Sequence, residues 1–208
     1  YKRRKINTEK LDKIEYVSKH NKLTSKTIDI LIPTIGRKSY LQDVLKNLAS
    51  QTHLPTNVII IEQNPNENSI SELDFLNEDW PFKIKHHFTH QSGACNARNI
   101  GLELLESDFV FMADDDIVFE NNLLENAISI FEKMNLDVFL VSCHLKSQVF
   151  PVELPKQFAV FGAGHAFVKS SCLKDLSFNT SYEFGFGEDN DFGMHLRNKG
   201  FDTYYISE

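Results

Sequence analysis

Three consecutive carboxylates, Asp114, Asp115 and Asp116, follow directly on the apolar run Phe109-Val110-Phe111-Met112-Ala113. Such a run reads as a buried strand, and side chains alternate along a strand, so Asp114 and Asp116 are predicted on one side and Asp115 on the other. Two like charges that close raise each other's pKa unless a cation neutralises them. A hard divalent ion with oxygen ligands, Mg²⁺ or Mn²⁺, meets that need, and it commonly holds phosphate. The alternative is a solvated turn, because Asp suits turns and caps helices, and Asn121-Asn122 just downstream resembles a helix start.

Four other segments carry candidate chemistry. Gly93-Ala94-Cys95-Asn96-Ala97-Arg98-Asn99-Ile100-Gly101 places small residues at a predicted helix N-terminus, where free backbone N–H groups favour an anion; packing of a helix on a sheet would select the same residues. The guanidinium of Arg98 suits carboxylate or phosphate. Glu62, ending an apolar strand, suits a ribose hydroxyl or a base N–H, or else caps a turn, and Thr34 and Arg37 hold the matching place after the first strand. Gly162-Ala163-Gly164 permits close approach of backbone to a ligand, or a structural bulge. The fourth segment, Phe184 to Phe192, carries Glu188, Asp189 and Asp191 at the start of a helix with Phe192, Leu196 and Met194 on its inner side. Capping explains some of these acids, but one could serve as a general base at a cleft. His86, His87 and His90 are crowded but straddle a strand end, so spacing sends them in different directions.

These residues need a frame. Ile28 to Ile32, Val58 to Ile61, Phe82 to His87, Phe109 to Ala113 and Val138 to Ser142 read as strands. Leu41, Val44, Leu45 and Leu48 mark the buried stripe of a helix, Ser71 to Leu76 a short one, and Ala94 to Leu105 another. A further strand-like segment lies within Phe158 to Lys169, after a loop punctuated by Pro151 and Pro155. Strands alternating with helices imply an α/β fold: an open, mostly parallel twisted sheet with helices on both faces. Ligands then sit beyond the carboxyl ends of the strands, which is where the polar segments fall.

The chain of 208 residues has ordinary hydrophobic (41%) and charged (25%) content, enough for one domain with a sizeable core. A net charge of −7 argues against nucleic acid as a partner. Cys95, Cys143 and Cys172 are scattered, so neither a disulfide framework nor a zinc site is expected, and a reducing, cytoplasmic setting fits. Residues 1–27 form a separate extension with the basic cluster Lys2-Arg3-Arg4-Lys5 and a marginal helical pattern at Leu11, Ile14 and Val17. The cluster is a solvated terminus or a contact to the anionic inner face of a membrane.

Taken together, the opening strand with Pro33-Thr34, the Ala97-Arg98-Asn99 segment, Asp114-Asp115-Asp116, the Gly162-Ala163-Gly164 loop and Glu188-Asp189 before a helix resemble the family-2 glycosyltransferases of GT-A fold. The resemblance spans residues 28–208, expected to be a GT-A domain truncated at its C-terminus, because relatives commonly supply a metal-ligating histidine beyond the point where this chain stops. It implies a metal-dependent inverting transfer of a hexose from a UDP-sugar donor to a glycan or lipid-linked acceptor. Asp116 with Asp114 would hold Mn²⁺ or Mg²⁺. Pro33, Thr34, Arg37, Glu62, Gly93, Arg98, Asp114, Asp115 and Gly164 would surround the nucleotide sugar. Glu188 would bind the acceptor and Asp189 would take its proton. The segment from Gly185 to Phe201 is similar to that of galactosyl- and N-acetylgalactosaminyl-transferring members. Glu62-Gln63-Asn64 replaces the Asp-Asp-Gly-Ser turn of many relatives, so base recognition is expected to differ. A sugar nucleotidyltransferase and a noncatalytic nucleotide- or sugar-binding module are the competing readings.

Overall fold

The computed structural model describes residues 26–141, 156–157, 160–183 and 185–206. In chain order the elements are β1 (Ile28–Thr34), α1 (Lys38–Ala49), β2 (Asn57–Gln63), β3 (Lys83–Thr89), α2 (Ala94–Glu103), β4 (Phe109–Ala113), α3 (Leu123–Met134), β5 (Val138–Val141), β6 (Lys156–Gln157), β7 (His165–Lys169), α4 (Glu188–Asn198) and β8 (Thr203–Ile206), with short 3₁₀ turns at Asp74–Asn77, Ser170–Leu173 and Thr180–Tyr182. The expected helix over Ser71 to Leu76 is therefore only a 3₁₀ turn, which buries Phe75 and has too few apolar positions for a longer stripe. The expected helical pattern at Leu11, Ile14 and Val17 lies outside the described residues, as do Pro151 and Pro155.

The strands form one sheet in the order β3-β2-β1-β4-β7-β5-β8-β6. Strands β3, β2, β1 and β4 run parallel; β7 is antiparallel to both of its neighbours, and β8 is parallel to β5. The reversed β7 has a consequence for chemistry. Pairing of Ala113 with His165 puts the start of β7, and the Gly162-Ala163-Gly164 loop before it, at the same sheet edge as the carboxyl ends of β1, β2 and β4.

The two faces are sorted by strand alternation. Ile28, Ile30 and Ile32 of β1 pack with Leu41, Val44, Leu45 and Leu48 of α1 and with Leu124, Ile128 and Phe131 of α3. Leu31 faces the other way, into a cluster with Ala97 of α2 and Phe192 and Leu196 of α4. Both helix stripes follow the i, i+3, i+4, i+7 spacing of an amphipathic helix. Phenylalanines tie the layers: the Phe111 and Phe167 rings stack at 4.2 Å and those of Phe139 and Phe167 at 5.1 Å, all three fully buried. Each such ring contributes roughly 1.5–3 kcal/mol by burial. One buried acid belongs to the frame. Asp29 accepts from the Asn57 amide (2.7 Å), the Ser107 hydroxyl (2.6 Å) and the Glu106 and Ser107 N–H groups, at the end of β1 away from the glycine loop.

Candidate active site

Strand β4 stops at Ala113, so Asp114 to Asp116 occupy a turn and the period-2 rule no longer governs them. The expected separation of Asp115 from Asp116 is corrected accordingly: Arg37 draws the two together, donating from Nη1 to Asp115 Oδ1 at 3.0 Å and to Asp116 Oδ2 at 2.7 Å. Thr34 donates its hydroxyl to the other Asp115 oxygen at 2.6 Å. Asp115 is thus a buried anchor with both oxygens engaged, whereas Asp116 stays half-exposed. Thr34, Gly36, Arg37, Glu62, Gln63 and Asn64 line a cleft above the ends of β1 and β2. Glu62 is itself held there, with Oε2 2.8 Å from His86 Nε2 and Oε1 accepting the Glu72 N–H at 3.3 Å.

Asp114 lies by the loop before β7, and the charge of Asp116 acts on it more strongly than that of Asp115. A Cβ at Gly164 would stand 2.1 Å from Asp114 Oδ2, so only glycine lets this carboxylate lie against the loop. The next peptide group back, Ala163 N–H, donates to Asp189 Oδ2 at 3.2 Å. The acidic triplet and the acidic pair therefore meet across the Ala163-Gly164 peptide. Arg98, buried on α2, approaches Asp114 Oδ1 with Nη2 at 3.7 Å and lies over the Phe178 ring, 5.4 Å from its centroid.

The electrostatics of this pocket follow from partial burial. Desolvation pushes the Asp189 carboxyl above its ordinary pKa; Arg98 and the Ala163 N–H pull it down, and Glu188 and Asp114 push it further up. Asp114 is likewise raised, first by burial, against the pull of Arg98. Burial lowers His165, with Asp114 opposing. Arg98 Nε and Nη1 and Asp189 Oδ1 are buried without a hydrogen-bond partner among the described residues. Unpaired buried donors and acceptors are rare, and each calls for a partner such as water, an ion or a ligand.

Other expected site residues fall out differently. The backbone N–H groups that open α2 were expected to receive an anion from the donor; the anion found there is Glu183, which accepts from Cys95 N–H at 2.9 Å and Asn96 N–H at 3.0 Å, while Gly93 N–H donates to Gln63 Oε1. Glu188 accepts the Gly187 N–H at 3.1 Å and is half-buried beside Asp189. Met194, expected on the inner side of α4, is exposed. Of the three crowded histidines, His86 pairs with Glu62 and His90 Nδ1 reaches the Asn64 carbonyl oxygen, so they do not converge. Sequence reasoning missed His165 and Glu183. His165 follows directly on the glycine loop as the first residue of β7, but nothing in the sequence pairs Glu183 with Cys95.

Among the described residues no group of three or more His, Cys, Asp or Glu side chains is placed to hold a metal ion alone. What the turn offers is two half-exposed carboxylates, Asp114 and Asp116. Hard oxygens in that number fit Mg²⁺ or Mn²⁺ when a diphosphate and water complete the shell, the common arrangement for these ions.

The family model for glycosyl transferase family 2 matches residues 29–186, and the chain belongs to that family, with the GT-A fold. It is 21% identical over 117 residues to the glycosyltransferase GlyG of Streptococcus pneumoniae serotype 4, a match covering 56% of this chain and 38% of GlyG. It is 22% identical over 114 residues to the poly(ribitol-phosphate) β-N-acetylglucosaminyltransferase TarS of Staphylococcus aureus, covering 54% of this chain and 20% of TarS. Among solved structures, residues 1–349 of TarS with UDP-GlcNAc superpose with a TM-score of 0.62 at 17% identity, covering 88% of this chain and 58% of that one. The mannosyltransferase PcManGT of Pyrobaculum calidifontis with GDP-Man and Mn²⁺ superposes with a TM-score of 0.70 at 15% identity, covering 89% and 56%. The chain thus spans less than half the length of these two curated relatives. No helix among the described residues is long and apolar enough to cross a membrane.

Proposed function

We propose that this chain binds a UDP-sugar and transfers its hexose, galactose, N-acetylgalactosamine or a close relative, with inversion to a hydroxyl of a glycan or lipid-linked saccharide. The observation that carries the reading is the buried Asp189 Oδ1 without a partner, set across the Ala163-Gly164 peptide from Asp114 and facing the half-satisfied Arg98. The cleft of Thr34, Arg37 and Glu62 receives the nucleoside, with Pro33 beside it, and Gly164 makes room for Asp114 to reach the donor. Glu188 orients the acceptor. Asp189 accepts the acceptor's proton as its oxygen attacks the anomeric carbon, and the bond to the diphosphate breaks with its electrons leaving on phosphate oxygen. Arg98, with two unsatisfied N–H donors, neutralises developing negative charge. Asp114 and Asp116 would hold a divalent ion, which when bound supplies Lewis-acid stabilisation of the leaving group. Its place of action is cytoplasmic, at the inner membrane face where the acceptor is lipid-linked. Relatives crystallised with UDP-GlcNAc and with GDP-Man and Mn²⁺ support the donor class and the ion.

The test is thermal stabilisation of the purified protein by UDP-galactose, UDP-N-acetylgalactosamine, UDP-GlcNAc and GDP-mannose, with Mn²⁺ or with EDTA, followed by identification of the released product. Stabilisation by a uridine donor that EDTA abolishes, with UDP released in the presence of acceptor, is expected. Pyrophosphate release from UTP and a sugar phosphate would instead establish a nucleotidyltransferase, and donor binding with no transfer across an acceptor panel a noncatalytic module.

A further inference from the structure

We propose that Glu183 is a positioning residue of this reaction: its carboxylate clamps the start of α2 to the segment that leads into α4, and so fixes Arg98 relative to Asp189. The inference rests on the transferase reading above. Both carboxylate oxygens are used, one on Cys95 N–H and one on Asn96 N–H, at 2.9 and 3.0 Å. These are among the donors a helix leaves unsatisfied at its first turn, the end that favours negative charge. Gly93 is required for the fit, because a Cβ there would stand 1.5 Å from Glu183 Oε1 on a backbone whose φ is +136°. A second tie lies one turn further along α2. The Asn99 carboxamide donates to Phe178 O at 2.9 Å and accepts Phe178 N–H at 2.7 Å. The Phe178 ring lies under Arg98 and stacks on Phe192 of α4, centroids 4.0 Å apart and nearly parallel.

Arg98 therefore sits between two clamps that join its helix to the segment carrying Asp189. Of the two, only Glu183 brings a charge to the helix end. Losing it leaves two N–H groups open and frees the approach to Glu188 and Asp189, while Thr34, Arg37 and Glu62 of the nucleoside cleft keep their own partners, Asp115, Asp116 and His86.

The experiment compares kcat and KM of wild type, Glu183→Ala and Glu183→Gln, with formate titrated as a replacement anion. Glu183→Ala is expected to lower kcat by roughly tenfold to a hundredfold, the size of effect that a small misplacement of reacting groups produces, with the donor KM changed by less than about threefold. Formate should restore part of the loss in Glu183→Ala. Glu183→Gln, which sets an NH₂ against one of the two N–H groups, should fall between and decides the matter if the alanine variant does not fold. Wild-type kcat in either folded variant, full restoration of Glu183→Ala by formate, which fills the helix end without tethering it, or a loss that falls on the donor KM rather than on kcat would overturn the clamp. A wild-type protein with no transfer at all would sink the transferase reading itself, which separates the two failures.

Discussion

Replacing Gly164 by alanine separates the cost to the fold from the cost to the chemistry. Gly164 does not have a positive φ, so its backbone accepts alanine without strain. The new Cβ would stand 2.1 Å from Asp114 Oδ2, 2.7 Å from its Cγ and 3.0 Å from its Oδ1. Reaching the 3.4 Å of ordinary contact requires the nearer oxygen to retreat by about 1.3 Å. The moving group is the end of a half-exposed side chain, so the change in stability should stay within about 1 kcal/mol. Function should suffer far more, because displacing a positioned group by roughly 1 Å costs on the order of a hundredfold in rate. The assay is kcat/KM for the nucleotide sugar alongside a denaturation curve and a UDP titration with Mn²⁺. A Gly164→Ala enzyme with unchanged stability and kcat/KM within about threefold of wild type would refute the idea that Asp114 is held by this contact for catalysis.

Phe167, fully buried between Phe111 and Phe139, should cost about 3–5 kcal/mol in urea denaturation when changed to alanine, and a loss under about 1 kcal/mol would contradict the central stack. With Asp189 acting ionised as proposed and its pKa raised, kcat should fall with acidity along a limb that lies above the ordinary Asp value of 3.8; a flat profile down to that pH would contradict the proposed role. Removing Arg98, which pulls Asp189 and Asp114 downward, should move that limb to higher pH in Arg98→Met. A carboxyl with a raised folded pKa adds stability that is complete below its unfolded pKa and lost as pH rises through the folded one. Asp189→Asn should accordingly melt higher than wild type at neutral pH, with the gap closing in acid; a lower melting temperature at neutral pH would count against it.

Strands β1, β2 and β4 could be read from sequence because their apolar runs are buried on both faces and little else competes for them. The stripe of α1 was legible for a different reason: its apolar residues recur at helical spacing along one buried face. Periodicity does not report direction, so the reversal of β7 was invisible, although that reversal brings the glycine loop to the acids. The strand rule wrongly separated Asp115 from Asp116, because the strand ends before them and two long-range partners, Thr34 and Arg37, set those side chains instead. Glu183 reaches α2 across 88 residues, and a contact of that span leaves no local trace. The α2 N-terminus was read as favouring an anion or as a packing contact; the anion found there is the chain's own Glu183.

The central claim is that Asp189 takes the acceptor proton while a separate group of residues holds the donor. It is tested most directly by measuring UDP-sugar affinity and transfer rate in Asp189→Asn, which keeps an oxygen for the Ala163 N–H but removes the base. Affinity close to wild type with transfer reduced by about 10²- to 10⁴-fold is predicted. Transfer at the wild-type rate in this variant would contradict the account.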